Sequence, residues 1–215
     1  LNILRSGWKR GTGIKKNLNK LLYFLILLLI LSCTLEVRVK EVIDGDTFIT
    51  YSGEKVRLIG IDTPERGKFF YYDARDALKK LIEGKKVKLE FDIVKKDIYN
   101  RILAYVFVDT IFVNDYMLKN GYSYIYTFPP NLKYIQRFRN SLDFAIKNKK
   151  GMWKYFLNEK DLFIGDPEKF EFHRRRCSRV PEIPEYNRVY FKSSLKALLE
   201  GYHPHKLCNP VRFIK

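Results

Sequence analysis

The stretch VRLIGIDTPE, residues 56–65, decides the fold. Lys55 to Ile61 reads as a strand, and Asp62-Thr63-Pro64-Glu65 ends it with two acids where a plain core would want none. Arg57 stands five residues ahead of Asp62. Side chains alternate along an ideal strand, so an odd separation places this pair near opposite faces. A bulge or the strand end must bring them together.

Working outward, Leu35 to Thr50 is rich in Val and Ile and reads as a strand with Asp44-Gly45-Asp46 as a turn near its middle. Lys86 to Asp92 is a third strand, and Ile102 to Val108 a fourth, apolar enough to be interior. Tyr71 to Glu83 sets Ala74, Ala77, Leu78, Leu81 and Ile82 at helical spacing, with Gly84 as the stop. Val113 to Asn120 is a short helix, and Leu132 to Lys147 a longer one with Ile135, Phe138, Leu142 and Ile146 on one face. There is no internal repeat. Short strands with interspersed helices predict a mainly β, α+β class: a small closed barrel with helices outside it.

The chain has 215 residues, room for one large domain or an ordinary one with an appendage. With 46% hydrophobic residues it can bury a core, which excludes disorder throughout. A net charge of +17 attracts polyanions such as nucleic acid or anionic lipid. Cysteines at 33, 177 and 208 are too few and too widely spaced for a disulfide scaffold.

Two further segments carry polar residues at odd places. Asp44-Gly45-Asp46-Thr47 interrupts a strand with two acids, and Arg101 follows the turn Asp97-Ile98-Tyr99-Asn100 into the apolar fourth strand. Each is ordinary alone: Asp-Gly turns occur in any sheet, and a lone Arg is usually solvated. Together, VIDGDTF at 42–48, VRLIGIDTPE at 56–65 and DIYNRILAYV at 97–106 resemble the staphylococcal nuclease (thermonuclease) family, in order, over roughly Glu36 to Phe156. The resemblance implies an OB-fold five-stranded barrel with three helices. It also implies that Asp46, Asp62 and the backbone carbonyl of Thr63 hold one Ca2+, that Glu65 activates water, and that Arg57 and Arg101 grip the phosphate.

The chemistry accounts for these residue types independently. A phosphodiester repels hydroxide, so hydrolysis needs cations on the non-bridging oxygens, where charge grows in the transition state. A hard ion among carboxylate and carbonyl oxygens suits that task. Guanidiniums add bidentate donors that stay protonated. One carboxylate must stay clear of the ion to serve as base, which separates Glu65 from Asp46 and Asp62. Tyr99, Tyr124 and Tyr126 are candidates for stacking on bases in any sequence context; packing in an aromatic-rich chain is the competing role. The segment between Glu65 and the first helix is shorter than in the best-known members, and Ile98 stands where a basic residue is often seen.

The first 35 residues hold six cations and no acid, and Leu21 to Leu31 is an apolar run too short to span a bilayer as a helix. A charged start, a short apolar middle and a small residue before a cysteine make a secretory signal over residues 1–33. Ile30-Leu31-Ser32-Cys33 looks like a lipobox, which implies acylation of Cys33 and a membrane anchor in the cell envelope; simple secretion is the alternative.

After Trp153 the character changes. Leu162 to Phe172 is strand-like, and the spacing His173-x3-Cys177, then His205-x2-Cys208, suits tetrahedral Zn2+. Such a metal would supply folding energy to a small core. A Cys177–Cys208 disulfide, or a fold needing neither, are the alternatives. His203 is a competitor two residues from His205. Roughly Asp161 to Pro210 resembles the small zinc-binding domain of Ada-type alkylation-repair proteins through FHRRRC, IPEYNRVYF and SSLKALLEGYHPHKLCNP at 172–177, 183–191 and 193–210. That family uses four cysteines, one of them a methyl acceptor. With His173 and His205 at two of those places, methyl transfer is not expected, and a structural site is.

The expected organisation is a signal over 1–33, an OB-fold nuclease domain over 34–157 and a small α+β zinc-type module over 161–215. The expected activity is Ca2+-dependent hydrolysis of DNA, with RNA as a second substrate, by a monomer without protein partners. A non-catalytic nucleic-acid-binding lipoprotein is the rival reading.

Overall fold

The computed structural model describes residues 34–214. The cationic and apolar leader and Cys33, with its expected lipidation, lie outside the described residues. No helix among the described residues is long and apolar enough to cross a membrane.

The segment expected as one strand from Leu35 splits into β1 (Thr34–Val42) and β2 (Thr47–Thr50), an antiparallel hairpin folded at Asp44-Gly45-Asp46 with an irregularity between Val39 and Glu41. The deciding stretch also breaks in two: β3 (Lys55–Leu58) and β4 (Ile61–Asp62) flank Ile59-Gly60. Gly60 has φ +79°, and a Cβ there would lie 2.4 Å from the ring of Phe138. Only glycine fits both that backbone and that approach. The break resets the alternation of side chains, which lets Arg57 and Asp62 meet.

Strands β5 (Lys86–Glu90) and β6 (Ile102–Val108) complete the ring. Strand β3 pairs antiparallel with β2 and parallel with β6, through Val56↔Ile102 and Arg57↔Leu103, so the order β3-β2-β1-β5-β6 closes into a five-stranded mixed barrel. Closure removes the exposed edges of an open sheet. Two-residue strands β7 (Ile111–Phe112) and β8 (Tyr124–Ile125) extend β6 and pair with β4, respectively.

Helices α1 (Tyr71–Ile82), α2 (Val113–Lys119) and α3 (Ile135–Lys147) pack outside the barrel. Of the faces their spacing predicts, Ala74, Leu78 and Ile82 on α1 and Phe138 and Leu142 on α3 are buried, while Ala77, Leu81, Ile135 and Ile146 are partly buried against the same core. Each such large aliphatic side chain contributes about 1.5 to 3 kcal/mol of burial. Asn114 of α2 is buried and reaches the barrel, accepting from Val106 N (2.9 Å) and donating to Ile59 O (2.8 Å). It thereby pins the turn ahead of Gly60.

Beyond β9 (Phe156–Leu157), the expected strand-like stretch is a hairpin of β10 (Phe163–Asp166) and β11 (Glu171–Arg174). With β12 (Val189–Phe191) and β13 (His203–Pro204) it forms a four-stranded sheet ordered β12-β10-β11-β13, covered by α4 (Ser194–Leu199). Ser193 caps α4 by accepting from Lys196 N. Strand β14 (Arg212–Phe213) returns to pair with β9.

The described residues from Leu35 onward make one compact unit. Phe163, Phe172 and Phe191 of the second sheet and Leu198 of α4 belong to the same apolar cluster as Phe48 and Leu58 of the barrel and Phe138 of α3. Across the junction Thr127 Oγ1 donates to Gly201 O (2.7 Å) and Arg139 to Glu200 O (2.9 Å). The C-terminal part is therefore fastened to the barrel by core as well as by polar contacts.

Candidate active site and metal centre

The break at Gly60 and the turn at Gly45 bring three chain segments together at one end of the barrel. A Cβ on Gly45 would lie 2.8 Å from the Thr63 side chain and 2.9 Å from Ala74, so the turn can sit against β4 only as glycine. Asp46 is buried there. Its Oδ1 accepts from Thr47 Oγ1 (3.0 Å) and faces Arg57 Nη1 (3.0 Å). Its Oδ2 accepts from Thr63 N and Thr63 Oγ1, both at 2.8 Å. The other arm of Arg57, Nη2, donates to Asp62 Oδ1 at 2.8 Å. One guanidinium thus bridges two carboxylates.

That guanidinium does not balance the acids around it. Burial, reinforced by the charge of Asp46, pushes the Asp44 carboxyl up to about 7. Burial likewise lifts Asp62 to about 6, with Asp46 adding to the shift and Arg57 opposing it. Burial works against the charge on Arg57, but Asp46, Asp62 and Asp44 outweigh it and hold its pKa above the ordinary value. Crowded hard-oxygen donors that cannot all ionise comfortably are what a divalent cation would relieve, so Asp46, Asp62 and Thr63 fit the Ca2+ implied by the sequence.

These residues line a cleft of about 660 Å3 that also takes in Glu65, Arg101, Tyr99 and Tyr126. Arg101 comes from the turn before β6. Asp97 accepts from its backbone N (2.9 Å) and its Nε (2.7 Å), and from Tyr99 N (3.0 Å). Burial would raise the Asp97 carboxyl, yet these bonds from Arg101 and Tyr99 hold it below its usual range. The Tyr99 ring is exposed, with the Arg101 guanidinium 5.5 Å from its centroid. Tyr126 packs against His203, the rings tilted by 41° and their centroids 4.4 Å apart. Tyr124 is placed differently: it does not line the cleft, and its ring packs edge-on against Trp153.

A family model described as "Staphylococcal nuclease homologue" matches residues 55–155. The endonuclease YncB of Bacillus subtilis (strain 168) is 36% identical over 156 residues, covering 67% of this chain and 68% of that protein. The thermonuclease of Staphylococcus hyicus is 37% identical over 125 residues, covering 54% of this chain and 74% of that protein. The chain belongs to the staphylococcal nuclease family. Arg57, Asp62, Glu65 and Arg101 fall inside the matched region, while Asp46 precedes it.

The family match ends before the second sheet, yet that sheet reaches the cleft. Glu171, His203 and Lys206 form part of its wall, and Lys206 Nζ is paired with the Glu65 carboxylate. From the sequence Glu171 and Lys206 carry no expected role, His203 stands only as a competing zinc ligand, and Asp44 only as one of two acids in a turn. The spacing carried a partial signal: Glu171 stands two residues before His173 on the same face of β11, and His203, in the two-residue β13, stands two residues before His205.

Behind that wall lies the second centre. One ligand atom from each of His173, Cys177, His205 and Cys208 falls within 4.8 Å of every other. Cys177 Sγ is 3.7 Å from His205 Nδ1, and both thiols are free, so the disulfide alternative is not formed. Glu171 Oε2 lies 3.7 Å from His173 Nε2 and Glu171 Oε1 lies 3.5 Å from His203 Nε2. His173 Nδ1 is buried without a hydrogen-bond partner among the described residues. A carboxylate near one ring nitrogen and a second, bare nitrogen on a histidine clustered with two thiols suit a metal-ligating role. The donor set of two sulfurs and two nitrogens fits zinc. His203 faces the nuclease cleft instead, which answers the choice between the two C-terminal histidines geometrically.

Proposed function

We propose that this chain is an exported, envelope-anchored nuclease that hydrolyses DNA, and RNA as a second substrate, with little sequence preference and in dependence on Ca2+. The observation that carries the reading is the convergence of Asp46, Asp62, Glu65, Arg57 and Arg101 on one cleft. Export and anchoring rest on the leader sequence alone. A purely nucleic-acid-binding lipoprotein would have no use for a cleft that crowds Asp44, Asp46 and Asp62 together and raises the carboxyls of Asp44 and Asp62.

In this reading Arg57 and Arg101 take the scissile phosphate from two sides. Ca2+ held by Asp46, Asp62 and the Thr63 carbonyl would place further positive charge on a non-bridging oxygen. Glu65, exposed and outside the Asp46–Arg57–Asp62 network, accepts a proton from water as its oxygen bonds to phosphorus. The P–O5' bond breaks, and the departing oxygen takes up a proton, leaving a 3'-phosphate. Tyr99 and Tyr126 offer ring faces to flanking bases without selecting among them. His173, Cys177, His205 and Cys208 hold a structural Zn2+ in the C-terminal part.

The test is cleavage of single-stranded DNA and of RNA by purified protein in Ca2+, in Mg2+ and in a chelator. Cleavage in Ca2+ that stops on chelation supports the reading. Salt-sensitive binding without cleavage in any divalent ion would favour the non-catalytic rival.

A further inference from the structure

Both guanidiniums of the cleft are only partly exposed and must serve carboxylates as well as the phosphate. Arg57 is shared between Asp46 and Asp62, and Arg101 is tied to Asp97. A polyanion entering among six acids needs a cation it can reach from the open side. Two lysines of the cleft qualify: Lys96, whose Nζ donates to Asn100 Oδ1 (2.9 Å), and Lys206, whose side chain is 59% exposed and whose one carboxylate partner among the described residues is the equally accessible Glu65. Of the two, Lys206 is the one that stands beside Glu65.

Its position depends on the second centre. Lys206 lies between His205 and Cys208, so two of the four clustered ligands bracket it in sequence. The backbone around it is thinly held. Strand β13 is two residues long, His205 N donates to Phe172 O (3.0 Å), and Asn209 N closes a turn on His205 O (3.1 Å). Arg174 N donates to Cys208 Sγ at 3.4 Å. So short a loop gains most of its definition from whatever joins its two ligands to His173 and Cys177.

We infer that Lys206 is a phosphate-binding residue of the nuclease cleft, set in place by metal at the His173–Cys177–His205–Cys208 cluster. The zinc-type centre then serves the active site, and the substrate is gripped by both parts of the chain at once. This rests on the nuclease reading of the cleft.

The test uses the full chain and a labelled oligothymidine. Binding is measured by fluorescence anisotropy in calcium-free buffer across a salt series, and cleavage by steady-state kinetics in Ca2+. Lys206→Met is expected to weaken binding about tenfold and to lower the salt slope by about 0.7, one phosphate contact on a single strand. KM should rise more than kcat falls, and Lys206→Arg should recover most of the loss. Cys208→Ser should weaken binding to a similar degree, and adding Lys206→Met to it should cost less than about twofold more, because coupled residues do not add. If Cys208→Ser fails to fold, stripping zinc from the wild-type chain with a thiol reagent and restoring it should lower and then recover affinity.

Unchanged affinity and slope in Lys206→Met would overturn the role of Lys206. Independent, multiplying losses, or a chain that binds no equivalent of zinc, would overturn its coupling to the metal cluster. In either case wild-type cleavage persists and the nuclease reading stands. A wild-type chain that neither binds nor cuts nucleic acid defeats both.

Discussion

Arg57 Nη2 stands 2.8 Å from Asp62 Oδ1, although five residues and opposite strand parity separate them. The contact exists because the strand stops at Leu58, turns through Gly60 and restarts at Ile61. The pairing is thereby built from a backbone irregularity. The guanidinium simultaneously reaches Asp46, so three segments depend on one turn.

Gly60→Ala should accordingly damage both stability and activity. The new methyl meets the Phe138 ring at 2.4 Å and the backbone carries φ +79°. A loss of about 2 to 4 kcal/mol is expected from strain and overpacking together. Thermal or urea unfolding of the variant would measure it, and near-wild-type stability would show that the turn relaxes easily.

Arg57→Lys isolates geometry from charge. The lysine keeps a cation beside Asp46 and Asp62 but loses the planar fork that spans them. Cleavage should fall by about 100- to 1000-fold, in line with the loss of one preorganised donor to a developing phosphate charge. A fall of less than threefold would assign Arg57 a purely structural part.

Asp97 is a positioning residue for Arg101, which it holds through both backbone and side chain. Asp97→Ala should lower kcat about tenfold or more while leaving the fold intact, since the turn is exposed and few core contacts depend on it. Comparison with Arg101→Ala in the double variant provides the check. Additive losses would contradict action through Arg101.

The carboxyls of Asp44 and Asp62 are raised from 3.8 to about 7 and about 6. The folded chain therefore binds more protons than the unfolded chain between about pH 4 and pH 7, and stability falls as pH rises through that window. In chelator the effect should be at most on the order of a few kcal/mol, and Asp44→Asn should flatten it. Added Ca2+ should stabilise far more at pH 7.5 than at pH 4.5. Melting curves at the two pH values, with and without Ca2+, test each part, and a stability that rises across the window in the wild type alone would contradict it.

Much of this was legible in the sequence. The apolar run of β6 and the 3.6-residue spacing on α1 and α3 are local signals, and they placed barrel and helices correctly. The carboxylates and arginines were legible because their residue types make no sense in a plain core. The break at Gly60 was foreseeable only as a need, since Arg57 and Asp62 could not otherwise meet; its cause is Phe138, almost eighty residues away. Tyr124 and Tyr126 look alike in sequence, yet Trp153 receives one ring and His203 the other. Lys206 reads as one more surface cation in a basic chain. Only the packing of the second sheet against the barrel brings it to Glu65.

The most direct test of the hydrolytic centre is Glu65→Gln, assayed by single-turnover cleavage of single-stranded DNA in Ca2+ with binding measured in parallel. A base removed at constant shape should cost at least about 100-fold in rate while DNA affinity stays within a few fold. Full-rate cleavage by Glu65→Gln would show that water is activated elsewhere, and the assignment of this cleft as the hydrolytic centre would not survive.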